Sequence, residues 1–156
     1  MVKHVERKLH LVIVGIAVLL FAITGITEKL QSESVTMAPF KIVLNAQGID
    51  QDVQANISMV LASGYMLDEY EVNLSFDGIQ VSQAFDFRYC YIDDIFIASF
   101  DRADLQENPV VIGMANTVVT ATVDGWFTAV NSDGESYKRE FSGTDTVEIV
   151  KPGKKK

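Results

Sequence analysis

The distribution of apolar residues divides the chain into a short N-terminal segment and a long body. Residues 9–27 read LHLVIVGIAVLLFAITGIT, and their apolar side chains would surround a helix on all sides. A helix of this length spans about 28 Å at about 1.5 Å per residue, close to the roughly 30 Å hydrocarbon core of a bilayer. A helix packed on a water-soluble domain would normally keep one polar face. The pattern therefore predicts a single transmembrane helix.

The flanks of this segment predict its orientation in the membrane, and its length predicts whether it is cleaved. It is preceded by Lys3, Arg7 and Lys8, and positive flanks stay in the cytoplasm. Residues 1–8 are therefore expected inside the cell and the body outside it, as in a single-pass protein of the cell membrane. A cleaved signal peptide is the alternative, but its apolar stretch is shorter and ends in small residues at the cleavage site. The long stretch here favours a retained anchor.

In the body, alternating apolar and polar residues replace the helical pattern from Phe40 onward. The run 53–61 is apolar at every odd position, and the run 70–76 at every even one. Such alternation predicts strands with one face in the core. Further strands are expected at 40–47, in the two arms of 85–100, and at 109–114, 117–123, 126–130, 135–141 and 145–150. Without a long helical pattern between them, they predict an all-β fold, an antiparallel immunoglobulin-like β-sandwich over residues 40–150.

Two polar segments flank this predicted sandwich. Residues 28–39 are interpreted as a juxtamembrane connector that Pro39 closes, and residues 151–156 as a basic tail. A tail of this composition is typical of a solvated terminus. Contact of its lysines with anionic headgroups is the alternative.

Two Asp-Gly dipeptides predict β-hairpins, because the central residues of a tight hairpin turn need positive φ. Asp77-Gly78 is expected to close a hairpin with two facing pairs, Phe76 with Ile79 and Leu74 with Val81. Asp124-Gly125 is expected to join the runs 117–123 and 126–130 in the same way. Residues 131–134, Asn-Ser-Asp-Gly, then turn the chain into the next strand.

The stretch 85–100 reads FDFRYCYIDDIFIASF and predicts a hairpin with an aromatic inner face. A two-residue turn at Asp93-Asp94 would oppose Tyr91 and Phe96, Tyr89 and Ala98, and Phe87 and Phe100. The outer face then carries Cys90, Ile92, Ile95 and Ile97. Two interpretations stay open: a covering loop or a longer turn explains these residues, or they form an exposed patch against which a partner packs.

Charge is distributed unevenly and limits the partners of the body. Residues 30–150 carry 5 basic and 19 acidic side chains, a net charge of −14. Such a surface repels phosphate backbones, which argues against nucleic-acid binding. It also repels anionic lipid headgroups, so the body is expected to stand off the bilayer rather than lie on it.

The residue types needed for common catalytic chemistry are missing from the body. Both histidines, His4 and His10, precede it, so a Ser-His-Asp triad, a Cys-His pair and a histidine-ligated metal are excluded there. No glycine-rich phosphate loop occurs. Cys90 has only Arg88 as a basic neighbour in sequence and is expected to be an unreactive, structural thiol. The sequence therefore predicts neither an enzyme nor a bound cofactor.

Two further kinds of site are weakly indicated. Oxygen ligands for Ca²⁺ could come from Asp93, Asp94, Asp101 and Asp104, with Glu107 as a further candidate, although their spacing matches no EF-hand loop. Two N-glycosylation sequons begin at Asn56 and Asn73, each on the polar face of a predicted strand.

Together these features predict a non-catalytic, membrane-anchored accessory or structural subunit. Its acidic sandwich would bind a protein partner, or a second copy of itself, in a cell-envelope or membrane assembly. In layout the chain broadly resembles archaellum stator proteins and pilin-like subunits. A pilin-like filament subunit with the hydrophobic helix in the filament core is therefore an alternative, although Leu9-His10-Leu11 occupies the junction where a prepilin places a small residue. An extracytoplasmic ligand- or calcium-binding module is the third hypothesis.

Overall fold

The computed structural model describes residues 33–38, 41–43 and 52–151. The predicted cytoplasmic residues 1–8, the predicted transmembrane segment 9–27, residues 28–32 and Pro39 of the connector, and the tail beyond Lys151 lie outside the described residues. The chain divides between Ser32 and Glu33 into two units, of which the second is the β domain. Within the described ranges, no helix is long and apolar enough to cross a membrane.

Nine strands form two sheets in the described part of the chain. The strands are β1 (Ser34–Ala38), β2 (Lys41–Val43), β3 (Val53–Ser58), β4 (Tyr65–Phe76), β5 (Ile79–Gln83), β6 (Asp86–Cys90), β7 (Ile95–Phe100), β8 (Thr117–Asn131) and β9 (Ser136–Val150). Sheet A has the order β1-β3-β7-β6, and sheet B the order β2-β9-β8-β4-β5. All pairs are antiparallel except β2 with β9. The predicted all-β class is confirmed.

The core lies between the two sheets and is rich in aromatic rings. Phe87 of sheet A stacks on Phe141 of sheet B with ring centroids 5.6 Å apart, and Phe96 lies 4.9 Å from Phe127. The alternation of β3 buries Val53, Ala55 and Ile57, as the sequence predicts, and Met59 and Leu61 stay buried beyond its end. Each large side chain buried in this way contributes about 1.5–3 kcal/mol relative to an exposed position.

The hairpin at Asp77-Gly78 is confirmed, with a shift in its register. Asp77 and Gly78 have φ of 48° and 82°, as a tight hairpin turn requires, and Phe76 pairs with Ile79. Leu74, however, pairs with Ser82 rather than Val81, because a β-bulge lies between Leu74 and Ser75.

The hairpin predicted at Asp124-Gly125 is wrong, because β8 runs unbroken through this dipeptide. Gly125 pairs with Val72 of β4 on one side and Phe141 of β9 on the other. A Cβ at position 125 would collide with the Glu71 carbonyl oxygen and lie 2.8 Å from the Val72 Cα. Glycine is therefore needed for the close approach of β4, and the predicted runs 117–123 and 126–130 form one strand.

The chain turns after β8 at residues 131–135, as predicted. The Asn131 side-chain oxygen accepts hydrogen bonds from the backbone N–H groups of Asp133 at 3.0 Å and Glu135 at 2.9 Å. Gly134 has a φ of 80°. The two strands predicted beyond this turn, 135–141 and 145–150, are one continuous strand, β9.

The strand predicted at 109–114 is a short helix. Arg102–Glu107 form α1 and Pro109–Gly113 form α2. The side chain of Asp101 accepts from Ala103 N–H, and that of Asn108 accepts from Val110 N–H. These caps, with proline at the first position of α2, favour helix starts over a strand.

The N-terminal part of the β domain differs from the prediction at two places. Ser34–Ala38, within the predicted connector, form β1, because Val35 and Met37 alternate with polar neighbours and are buried. The strand predicted at 40–47 is described only as the three residues of β2, and residues 44–50 lie outside the described ranges.

Side-chain hydrogen bonds tie β1 to the neighbouring edge of sheet B. The Glu33 side chain is 8% exposed, and it accepts from Arg139 at 3.2 Å and from the backbone N–H of Ser142 at 3.0 Å. Asp145 accepts from the backbone N–H of Met37 at 2.7 Å. These bonds occupy backbone groups at sheet edges and join the first residues of the domain to β9.

We expect Gly125→Ala to lower the free energy of unfolding by about 1–3 kcal/mol, because the new methyl group must displace the β4 backbone. Gly113→Ala is the matched control, since no atom lies within 4 Å of a Cβ there, and its effect should stay within about 0.5 kcal/mol. Chemical denaturation of the full chain in detergent measures both. Equal effects of the two substitutions would contradict the close-approach explanation.

We expect Arg139→Met to lower the free energy of unfolding by about 1–3 kcal/mol near neutral pH, because it leaves a buried carboxylate without its charged partner. Burial raises the pKa of Glu33 above its ordinary value of 4.5, against the lowering effect of Arg139. Loss of Arg139 should raise this pKa further. The folded variant then binds the proton more tightly than the unfolded chain, so its deficit should shrink as the pH falls through the raised pKa toward 4.5.

Lys138→Met is the control for this experiment, since it removes the neighbouring cation, which lies 4.2 Å from the Trp126 ring centroid. Its cost should be below about 1 kcal/mol. Denaturation curves at several pH values measure both variants. A deficit of Arg139→Met that is independent of pH would contradict the role assigned to Glu33.

Candidate functional site

One end of the β domain combines the start of the domain with the sequence-predicted hairpin. Ser34 pairs with Ser58, Ser58 with Ile95, and Ile95 with Cys90, so four residues form one row across sheet A. Since β1 begins in this row, the chain that arrives from residue 32 joins the domain here. We call this the proximal end, and the opposite end, where β8 begins and β9 finishes, the distal end.

The turn between β6 and β7 lies just beyond this row and is longer than the predicted two residues. Tyr89 pairs with Phe96 and Phe87 with Ala98, which leaves residues 91–94 as a four-residue turn. The predicted pairs are thus shifted by two positions, and packing of a partner against the outer face stays a prediction. Asp94 has a φ of 52° and accepts a hydrogen bond from the Tyr89 hydroxyl at 2.8 Å. Burial and this bond raise the pKa of Tyr89.

Three apolar side chains project into solvent around this turn. Ile92 is 92% exposed, and Tyr91, which the sequence places in the core, is 68% exposed. Val60, two residues beyond Ser58 in the chain, is 60% exposed. We call Val60, Tyr91 and Ile92 the apolar tip. The sequence signal that reveals Val60 is an apolar residue at a position where the alternation of 53–61 calls for a polar one.

The other members of the predicted partner patch form a separate surface. Cys90, Ile95 and Ile97 are half-buried on the outer face of sheet A, and we call them the outer stripe. Cys90 pairs with Ile95, and Ile97 lies between Asn56 and Arg88. The two-residue register shift preserves the alternation of faces, so the outer position of these residues is predicted correctly. The structure does not bring Ile92 into this stripe.

The four aspartates proposed for Ca²⁺ do not meet. Asp93 and Asp94 lie in the turn before β7, whereas Asp101 and Asp104 follow β7 at its other end. A strand of six residues separates the two pairs by about 20 Å. In the described ranges, no three His, Cys, Asp or Glu side chains form a group suited to a metal. The joint calcium site predicted from their sequence proximity is therefore wrong.

Cys90 is a half-buried free thiol at the proximal end. Its sulfur lies 3.5 Å from a carboxylate oxygen of Asp93, as a weak hydrogen bond. The assignment of Cys90 as an unreactive, structural thiol stays a prediction.

The two sequons lie within strands rather than in loops. Asn56 is half-buried in β3, between β1 and β7. Asn73 is half-buried in β4, and its side-chain oxygen accepts from Gln80 Nε2 at 3.0 Å. Glycosylation of either asparagine stays a prediction.

The outer face of sheet B carries polar features that lie outside every site predicted from the sequence. Thr120 pairs with Thr146 and Thr122 with Thr144, so four threonines form a compact array. Farther along this pair of strands, Lys138 of β9 covers the ring of Trp126 in β8. Burial raises the pKa of Asp124, which is also in β8. Period-two alternation over 117–123 and 144–150 could have located the threonines, but only the pairing of β8 with β9 brings them together.

The chain matches no protein-family model, no curated protein and no solved structure.

Proposed function

We propose that this chain is a non-catalytic, membrane-anchored accessory subunit of a cell-envelope or membrane assembly. Residues 9–27 would anchor it as a single-pass helix, with the N-terminus in the cytoplasm and the β domain outside. The β domain would bind a protein partner through the outer stripe. The observation that carries this proposal is the apolar character of Cys90, Ile95 and Ile97 on an outer sheet face, where solvated positions are expected.

The outer stripe has the composition of the centre of a small interface. Its apolar side chains are bordered by Asn56 and Ser58 on β3 and by Arg88 on β6. An apolar centre within a polar rim is the usual arrangement of interface hot spots. A partner segment that covers the stripe would complete the burial of side chains that the domain itself leaves half-exposed.

The charge of the domain supports a partner of a particular kind. The net charge of −14 over residues 30–150 favours a partner whose surface is basic around an apolar centre. Opposite charge speeds the encounter and disfavours acidic partners, whereas the apolar contact determines how long the complex lasts.

The immunoglobulin-like assignment belongs to this proposal and is supported by the strand order. Sheet A, β1-β3-β7-β6, corresponds to the A-B-E-D order of that fold. Sheet B, read from β9 to β5, corresponds to G-F-C with an added edge strand. The inter-sheet disulfide of antibody domains has no counterpart, since the chain has one cysteine. The stacked rings of Phe87 and Phe141 occupy the space between the sheets.

We expect mild detergent extraction of the native protein to recover it with a protein partner, and Ile97→Arg to weaken that complex at least about tenfold. The substitution places a cation in the outer stripe, against the apolar centre of the partner and close to the basic groups around it. Thr144→Arg adds the same charge to an exposed position on sheet B and should leave the complex intact. Pull-down with quantitative mass spectrometry measures retention, and a denaturation curve verifies that each variant folds.

Three results would contradict the proposal. The first is recovery of a lone monomer under several gentle detergent conditions. The second is equal binding by the two arginine variants. The third is a native N-terminus cleaved close to the apolar segment, which would instead favour a processed filament subunit or a secreted domain.

A further inference from the structure

We infer that the apolar tip, Val60, Tyr91 and Ile92, rests in the interfacial layer of the same membrane that residues 9–27 are proposed to span. This inference depends on the proposed anchor. It adds a second, peripheral contact between the β domain and lipid, at a surface distinct from the outer stripe.

The first argument is the position of the tip relative to the start of the domain. Ser34 and Cys90 lie at opposite ends of one row of four strands in sheet A, about 14 Å apart at the usual strand spacing. The tip residues Tyr91 and Ile92 directly follow Cys90, and Val60 lies two residues beyond Ser58. The tip and the point where the chain joins the domain therefore share one end.

The second argument is the short length of the intervening chain. The predicted transmembrane segment ends at Thr27, and Glu33 is already held by Arg139 and the Ser142 backbone. Six residues span at most about 22 Å when fully extended. A tether of this length, joined to the domain at its proximal end, limits how far the tip can lie from the membrane.

The third argument is the chemistry of the tip. Isoleucine and valine gain free energy on leaving water, and tyrosine is enriched at membrane–water interfaces because its ring is apolar and its hydroxyl polar. Ile92 has the greatest exposure among the large apolar residues of the described ranges. Behind the tip, the Tyr89 ring contacts both Tyr91 and Phe96, at 4.9 and 4.8 Å between centroids, so Tyr89 joins the tip to the aromatic core.

The carboxylates beside the tip limit the depth of the contact and the choice of lipid. Asp93 and Asp94 follow Ile92 directly, and Asp94 is held by the Tyr89 hydroxyl. Charged groups at this position keep the turn at headgroup depth and repel anionic lipids. The contact should therefore be strongest with zwitterionic phosphatidylcholine and weaken as anionic phosphatidylglycerol is added.

The experiment compares tryptophans placed at the two ends of the domain in the full-length protein. Trp126→Phe removes the single native tryptophan, and Tyr91→Trp or Val118→Trp then introduces one probe. The two positions are matched, because Tyr91 and Val118 are each 68% exposed. Val118 pairs with Glu148 at the distal end. Each protein is reconstituted into phosphatidylcholine vesicles that contain lipid brominated near the glycerol end of its acyl chains.

We expect emission from the Tyr91→Trp probe to be quenched and shifted to shorter wavelength, and emission from the Val118→Trp probe to be unaffected. Adding Ile92→Asp should relieve the quenching at position 91, and replacing part of the phosphatidylcholine with phosphatidylglycerol should reduce it. Alkaline carbonate extraction of the same vesicles reports separately on the anchor.

The outcomes distinguish failure of the inference from failure of the anchor. Protein that resists carbonate but shows no quenching at position 91 would overturn the tip contact and leave the anchor standing. Equal quenching at positions 91 and 118 would also overturn the tip contact, because the proximal and distal ends would then contact lipid equally. A further outcome is that the emission of the probe at position 91 shifts to shorter wavelength as more protein is added per vesicle, without quenching by brominated lipid. That result would overturn the lipid contact and show that the tip packs against a second copy of the chain. Release of the protein by carbonate would remove the anchor and the inference together.

Discussion

Burial of the Phe87 ring between the two sheets is the interaction on which the rest of the structure depends. This ring stacks on Phe96 within its own sheet and on Phe141 across the core, at 5.1 and 5.6 Å between centroids, and it contacts Tyr70 and Phe127 as well. β6 is an edge strand of only five residues. Among the described strands its backbone pairs with β7 alone, so the packing of Phe87 on Phe141 links this edge strand, and with it Cys90 and the turn that follows, to sheet B.

The features of the fold that the sequence predicts correctly are those encoded by local alternation. Residues two apart in a strand point to the same face, and the core covers only one face of β3. Val53, Ala55 and Ile57 share that face and are buried together. The two Asp-Gly dipeptides show that local sequence alone does not determine where a turn forms. Asp77-Gly78 forms a turn and Asp124-Gly125 lies within a strand, because the second is held between β4 and β9. Neither dipeptide differs from the other in itself, so only long-range pairing separates them.

The same distinction applies to the candidate site. A register shift of two residues preserves the alternation of faces, so the outer position of Ile95 and Ile97 follows from the sequence although the predicted pairs are wrong. The exposure of Tyr91 could not be predicted, since it depends on where pairing stops. The aspartates around β7 are close in sequence, but an extended strand separates them in space. The caps of α1 and α2 are visible as Asp101, Asn108 and Pro109, yet the apolar run 109–114 resembles a strand when read alone.

The attachment of the domain at Glu33 and β1 has a mechanical consequence. β1 runs from the proximal end toward the distal end and pairs along its whole length with β3. A force applied to the preceding chain, directed away from the proximal end, acts along the axis of β1. Such a force loads its backbone hydrogen bonds in shear, all at once, rather than opening them one after another. The ion pair of Glu33 with Arg139 and the bond from the Met37 backbone to Asp145 resist the same displacement from the neighbouring sheet. These contacts thus resist tension applied through the chain that precedes β1.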